Sequence, residues 1–168
     1  MTMTTAPASP DPAALRRALG RFATGVTIVT CVDADGQWIG LTANSFQALS
    51  LEPPLVLWSL RVASSSLEAF RGAGRFAVNV LGEAQVELSR RFATPGARRF
   101  DADGAWAIGV HGAPVLSGSA AVFECERVSE QPAGDHLLFI GRVLGAVDAT
   151  VPPLVFQGGR YHLLGEIL

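Results

Sequence analysis

Gly40 to Leu60, GLTANSFQALSLEPPLVLWSL, joins two unlike pieces through a turn. The second piece, Leu55-Val56-Leu57-Trp58-Ser59-Leu60, is short, continuous and apolar and follows the rigid pair Pro53-Pro54, which predicts a buried strand. The first piece, Gly40 to Phe46, consists of small and hydroxyl-bearing residues. Thr42, Asn44 and Ser45 set two hydroxyls and one carboxamide within four residues, with little bulk between them. Such a segment can lay backbone N–H groups and short side chains against a flat polar ligand; it can equally be an ordinary polar loop between strands. The residues alone leave both open.

Upstream, Asp11-Pro12 has the pattern of an N-cap followed by the first helical position. A helix is therefore expected through Ala13 to about Leu19, with Leu15, Leu19 and Phe22 on one face and Gly25 as the breaker. Val26 to Val32 is β-branched and strand-like, Asp33-Ala34-Asp35-Gly36 is a hairpin turn, and Gln37 to Thr42 returns as the paired strand. The first hairpin thus delivers Thr42 to Ser45 to the end of a strand. Downstream, Ser64-Ser65-Ser66 can cap a short helix carrying Leu67 and Phe70 inward, and a hydroxyl-rich helix start is also suited to a phosphate. Further strands are expected at Phe76 to Leu81, Leu116 to Val128, His136 to Val147 with Gly141 as a bulge, and a last hairpin from Val151 to Leu164. A helix is expected over Ala84 to Phe92, carrying Val86 and Leu88. Ser129 to Asp135 reads as a turn, and Thr94 to Ala113 as a long excursion that covers the site or a partner subunit.

The 168 residues suffice for one domain with a substantial core, and 49% are hydrophobic against 17% charged. A formal net charge of −2 gives no electrostatic case for nucleic acid or an anionic membrane as partner. No apolar run spans a bilayer and no signal-peptide pattern opens the chain, so a cytoplasmic protein is expected, with residues 1–10 as a disordered tail and 11–168 as a single domain. Cys31 and Cys125 lie in apolar runs, outside any C-x-x-C or Cys/His cluster, and read as small buried hydrophobes; the histidines show no metal spacing. No Ser-His-Asp set or carboxylate pair stands out. Gly72-Ala73-Gly74 does not supply a G-x-G-x-x-G turn, which disfavours a Rossmann fold. Many short strands and about three short helices fit a mainly β chain, a closed or split barrel.

The pattern G-x-T-A-N-S-F-x-x-x-S-x-x-P-P-L-V from Gly40 resembles the signature of the short-chain flavin reductases, the reductase components of two-component flavin-dependent monooxygenases. The likeness extends, in the family's order, through RALGRFATGVTIVT from Arg17, FAVNVL from Phe76, PVLSGSAAVFEC from Pro114, Gly134-Asp135-His136 and GRYHLLG from Gly159. It implies an FMN-binding split barrel, Greek-key-like. The implied activity is an NAD(P)H:flavin oxidoreductase that passes hydride from NADH or NADPH to FMN or FAD. The implied partners are a second copy in a homodimer and a monooxygenase that receives the reduced flavin.

By the same resemblance, Thr42, Ala43, Asn44 and Ser45 lie along the isoalloxazine and ribityl chain, Ser59, Ser65 and Ser66 reach the ribityl or phosphate groups, and Arg91 supplies positive charge. Asp135 and His136 fall where the family places the pyridine nucleotide, with Arg160 and Tyr161 as weaker candidates there. No side chain is expected to be catalytic in its own right, since the cofactors carry the reactivity. The chain departs from the pattern at Ala48, where a serine is common, and between Arg61 and Ser66, where the basic residue often found between the serines is missing. The second departure leaves phosphate anchoring and the choice of FMN or FAD open. A flavoprotein that retains FMN and serves another acceptor, and a non-catalytic barrel for a small ligand, stay open as alternatives.

Overall fold

The computed structural model describes residues 10–95, 100 and 104–166. The elements in order are α1 (Pro12–Leu19), β1 (Thr24–Gly25), β2 (Thr27–Val32), β3 (Trp38–Ala43), β4 (Gln47–Leu51), β5 (Pro54–Arg61), α2 (Leu67–Gly72) and β6 (Arg75–Val80). A 3₁₀ turn at Glu83–Gln85 leads into α3 (Val86–Ala93). Then come β7 (Trp106–Ile108), β8 (Pro114–Leu116), β9 (Ala121–Ala133), β10 (His136–Asp148), β11 (Val155–Gln157) and β12 (Arg160–His162). Seven strands form one antiparallel sheet in the order β3-β2-β6-β9-β10-β5-β4, flanked by two small sheets, β1-β11-β12 and β7-β8.

The connectivity forces this sheet to curl. Laid flat, its two edge strands would stand about 29 Å apart at the usual strand spacing. Yet β3 and β4 are those edges, and only Asn44, Ser45 and Phe46 join them, a link that reaches about 14 Å at full extension. The sheet therefore rolls until its edges approach. The edges do not pair with each other, so the barrel is split rather than closed.

Local chemistry sets the turns. Asp11 Oδ2 accepts from the Ala14 N–H at 2.9 Å with Pro12 opening α1. Asp33 Oδ1 accepts from the N–H groups of Asp35 and Gln37, and Gly36 takes the left-handed conformation that the β2–β3 hairpin needs. The β2 strand is buried on both faces and separates two cores. On one side Trp58, fully buried, stacks on Phe139 with centroids 4.7 Å apart and meets Phe70 of α2 edge-on. On the other, Ile28, Leu81, Leu116 and Leu154 pack under Phe92 of α3.

Several expectations change. The strand β4 has no counterpart in the sequence reading, because Gln47 to Leu51 is mostly exposed and shows no clean apolar alternation. The long strand expected from Leu116 breaks at Gly118, whose φ is 71°, and divides into β8 and β9. The strand β9 then continues to Ala133, so the expected seven-residue turn shrinks to Gly134-Asp135. Ser66 stands at the N-cap of α2 but its side chain makes no capping bond, although Leu67 and Phe70 point inward as expected. In α3 Val86 and Leu88 pack partly buried against the core as expected, but the fully buried residues are Ser89 and Phe92. Leu15, Leu19 and Phe22 share a face but are 44%, 66% and 73% exposed, so α1 contributes nothing to the core. The tail expected over residues 1–10 lies, apart from Pro10, outside the described residues, as does part of the Thr94 to Ala113 excursion.

The bulge expected at Gly141 is present, with a register shift between Ile140 and Gly141. A Cβ at Gly141 would collide with the Phe76 ring and lie 3.1 Å from the Cβ of Cys125. Gly141→Ala should lower stability by about 1–3 kcal/mol in urea unfolding. Burial, with Asp33 and Glu124 adding to it, pushes the Cys31 and Cys125 thiols up to about 12. An unfolded thiol ionises near 8.5, so the thiol contribution is complete below about that pH and is lost as pH rises toward 12. Urea midpoints should fall over that window, and fall less in a Cys31→Val, Cys125→Val variant.

Candidate functional site

Alternation along β5 separates core from site. Val56, Trp58 and Leu60 point into the core, which leaves Leu55, Leu57, Ser59 and Arg61 on the opposite face. The neighbouring strand β10 repeats the division: Leu137 and Phe139 are buried, and His136 pairs in register with Arg61 and Leu138 with Ser59. Ser59, Arg61 and His136 therefore share one face at one end of the sheet.

The Thr42 to Ser45 segment lies against that face, and two of its polar side chains are spent on holding it there. Ser45 Oγ donates to the Ser59 carbonyl and accepts from the Ser59 N–H, both at 3.0 Å, so one hydroxyl replaces a missing ladder partner where β4 has not yet begun. Thr42 Oγ1 donates to the Ser89 carbonyl of α3 at 2.6 Å. Asn44 is exposed and its carboxamide has no hydrogen-bond partner among the described residues.

These pieces enclose a cavity of about 680 Å³. Its walls include Thr42, Ala43, Asn44, Ser45, Ser59, Ser64 to Ser66, Arg61 and His136, with Phe92, Ala93 and Pro95 closing one side. The cavity thus unites the two segments that the family resemblance assigned to separate ligands. Of the serine run, Ser64 Oγ accepts from the Ser66 N–H, while the Ser59, Ser65 and Ser66 hydroxyls have no partner among the described residues. Short hydroxyls, one carboxamide and backbone groups around an apolar floor fit a flat polar ring bearing a polyol chain.

The other candidates stand apart from the cavity. Asp135 is exposed and lies behind His136: its carboxylate can only accept, so His136 Nδ1–H donates to Asp135 Oδ1 at 2.8 Å and Nε2 is left for other contacts. That bond and the charge of His136, with a small contribution from Arg61, hold the Asp135 carboxyl below the usual range. Tyr161 is bonded through its hydroxyl to Ser89 Oγ at 2.8 Å, and the Arg90 guanidinium sits 5.6 Å from its ring centroid. Tyr161 thereby braces α3, whose Ser89 carbonyl holds Thr42. Arg91, in the last turn of α3, does not line the cavity, and Arg160 is exposed on β12. In the sequence Arg61 stands out only as the start of a serine-rich stretch; strand alternation from Ser59 is the signal that puts it on the site face. The role of Ser89 carries no sequence signal.

A second, larger cavity of about 870 Å³ runs between α1 and the β11–β12 turn and meets the first at Asn44. Arg16, Arg17, Arg21 and Phe22 line it. Among the described residues no group of three or more His, Cys, Asp or Glu could hold a metal ion, and no helix is long and apolar enough to cross a membrane.

The flavin reductase like domain family matches residues 19–165 of this chain. Over 151 residues the chain is 48% identical to a probable flavin reductase of Rhizobium meliloti, covering 90% of this chain but 48% of that protein, so it spans about half of that relative's length. It is 46% identical over 155 residues to the FMN reductase (NADH) SmoA of Agrobacterium fabrum, covering 92% of this chain and 87% of SmoA. It is 42% identical over 154 residues to HsaB, reductase subunit of a flavin-dependent monooxygenase of Mycobacterium tuberculosis, covering 90% of this chain and 81% of HsaB. Among solved structures, the NADH:FAD oxidoreductase SgcE6 of Streptomyces globisporus, in complex with NAD and FAD fragments, superposes with a TM-score of 0.86 at 36% identity, covering 92% of this chain and 93% of that one.

The two bonds of Ser45 and the open carboxamide of Asn44 predict different behaviour. Ser45→Ala should lower stability by about 1–2 kcal/mol in urea unfolding and weaken flavin binding with it. Asn44→Ala should leave stability unchanged and raise the flavin Kd severalfold in a fluorescence titration. Equal flavin affinity in wild type and Asn44→Ala would put the flavin elsewhere.

Proposed function

This chain belongs to the flavin reductase-like family, and from that premise we propose that it is an NAD(P)H:flavin oxidoreductase that reduces FMN or FAD and releases the reduced flavin to a separate flavin-dependent monooxygenase. One observation carries the proposal: a single cavity brings the Thr42 to Ser45 segment and the serine run together with His136. Hydride transfer needs two flat rings in contact, and a shared cavity allows this where two separate clefts would not. When bound, the flavin and the nicotinamide supply the electron chemistry.

The residues of the chain bind, orient and exclude water. Asn44 and Ser59 offer hydrogen bonds to the ring edge or the ribityl chain, with Ala43 buried behind them. Ser65 and Ser66 offer hydroxyls to the ribityl or phosphate end. His136, fixed at Nδ1 by Asp135, turns its remaining nitrogen or its ring face to the pyridine nucleotide. Phe92 and Pro95 close the cavity on the side of α3. NADH is favoured as donor by the names of the SmoA and SgcE6 relatives. A homodimer is supported by the apolar face that α1 leaves exposed, with Leu19 and Phe22 bordering the second cavity. A cytoplasmic place follows from the donor such an enzyme consumes.

Purified protein should oxidise NADH with a rate that saturates in added flavin, and should reduce cytochrome c only while flavin is present. His136→Ala should raise the KM for NADH while leaving flavin affinity nearly unchanged. If His136→Ala weakens flavin binding equally, His136 belongs to the flavin. No oxidation of NADH or NADPH with FMN, FAD or riboflavin would replace the enzyme with a ligand-binding barrel.

A further inference from the structure

The last turn of α3 borders the smaller cavity through Phe92 and Ala93, and the Thr42 to Ser45 segment lines the same cavity. Two contacts set how near α3 sits to β3. Thr42 Oγ1 donates to the Ser89 carbonyl at 2.6 Å. Gly40 leaves room for the Phe92 ring, since a Cβ there would lie 2.7 Å from it. A third contact reaches α3 from the C-terminal hairpin: Ser89 Oγ and the Tyr161 hydroxyl are 2.8 Å apart, and Ser89 is 0% exposed. Tyr161 is held in its turn. Phe156 pairs with it in register and meets its ring edge-on, with centroids 5.5 Å apart, and β11, which carries Phe156, pairs with β1. The Arg90 guanidinium lies 5.6 Å from the Tyr161 ring centroid. Ser89 is thus bonded twice, its carbonyl to β3 through Thr42 and its hydroxyl to β12 through Tyr161. Tyr161 lines neither cavity.

We propose that Tyr161 is a positioning residue for the flavin. Its hydroxyl holds Ser89, Ser89 holds Thr42, and together they fix where the last turn of α3 stands against the Thr42 to Ser45 segment. This rests on the flavin reductase reading of the same cavity. A flat ring gains its contacts only from walls at van der Waals distance, and a gap wider by a fraction of an ångström forfeits a large part of them. Without the Tyr161 hydroxyl the buried Ser89 hydroxyl loses its partner, and α3 is free to turn toward another. The family resemblance set Tyr161 beside the pyridine nucleotide. Its bonds lead instead to Thr42, while His136 stands on β10 and is held separately by Asp135.

The test deletes each half of the bond. Tyr161→Phe removes one oxygen and keeps the ring against Phe156 and Arg90; Ser89→Ala removes the other hydroxyl. Both variants and their double are titrated with FMN and with riboflavin well below their unfolding midpoints, and the KM for NADH is measured at saturating flavin. Either single variant should raise the Kd of FMN and of riboflavin alike, about three- to fivefold, and leave the KM for NADH unchanged. The double variant should bind no worse than either single, because one bond is lost in all three. In a Thr42→Val background, where the link to β3 is already cut, Tyr161→Phe should add nothing. A lowered midpoint with unchanged flavin Kd overturns the proposal, because the bond would then serve stability alone. An equal loss in the wild-type and Thr42→Val backgrounds overturns it too, because the effect would not pass through Thr42. A rise in the KM for NADH alone returns Tyr161 to the nucleotide. Each of these outcomes leaves the flavin reductase reading standing, whereas a wild type that binds neither FMN nor riboflavin overturns both.

Discussion

The hydroxyl of Ser45 ties the three-residue link between the two edge strands of the sheet to Ser59 of β5. The strands β3 and β4 are opposite edges of the seven-stranded sheet, and three residues connect them. Curling the sheet that far leaves Ser59 without a strand neighbour on one side, and Ser45 Oγ satisfies both its N–H and its carbonyl. Ser59 is only partly buried, so its backbone pair left open there would cost up to about 1–3 kcal/mol for each group. The same bond fixes Asn44, one residue away, at the seam where the two cavities meet. The split in the barrel and the smaller cavity are thus one feature: the place where the sheet cannot close is where backbone and small polar groups face outward.

A second constraint is the register between β5 and β10. With a period of two, a slip by one residue between them would turn one strand over relative to the other, taking Trp58 out of the core and Arg61 into it, or Phe139 out and His136 in. The stacked Trp58–Phe139 pair makes such a slip costly, so the packing of the interior sets the position of the site side chains on the other face. The bulge at Gly141 belongs to the same device, since it lets β10 pass the Phe76 ring and keep both registers.

Helix α3 is the third support. It sits over the second core through Phe92, takes the Thr42 hydroxyl on its Ser89 carbonyl and is tied to the C-terminal hairpin by the Ser89–Tyr161 bond. The GRYHLLG segment, distant from Gly40 in sequence, therefore acts on the cleft through α3 rather than from inside it. This division of labour explains why so few polar groups of the motif segments are available to a ligand. Thr42, Ser45, Ser89 and Tyr161 hold the frame, while Asn44, Ser59, Ser65, Ser66 and Arg61 remain open to the cavity.

The sequence by itself determined the strand at Leu55 to Leu60, the Asp33 to Gly36 turn, the capped start of α1 and the bulge at Gly141. In each case the cause is local: an apolar run, an Asx turn with glycine, an N-cap with proline, a residue lacking a Cβ. It also marked Thr42 to Ser45, the serine run and His136 as site segments, because their motif follows a family order. Only the tertiary structure decided that these segments share one cavity, since that depends on how far the sheet curls and on which strand faces which. It also separated the residues that hold the frame from those left open. Ser45 and Asn44 are adjacent and equally polar, and their different fates come from a strand end fourteen residues further along, which no local pattern encodes. The place of Arg61 and the role of Tyr161 escape the sequence for the same reason: a side chain's role follows from the face and the neighbour it is given, and both are set by long-range pairing.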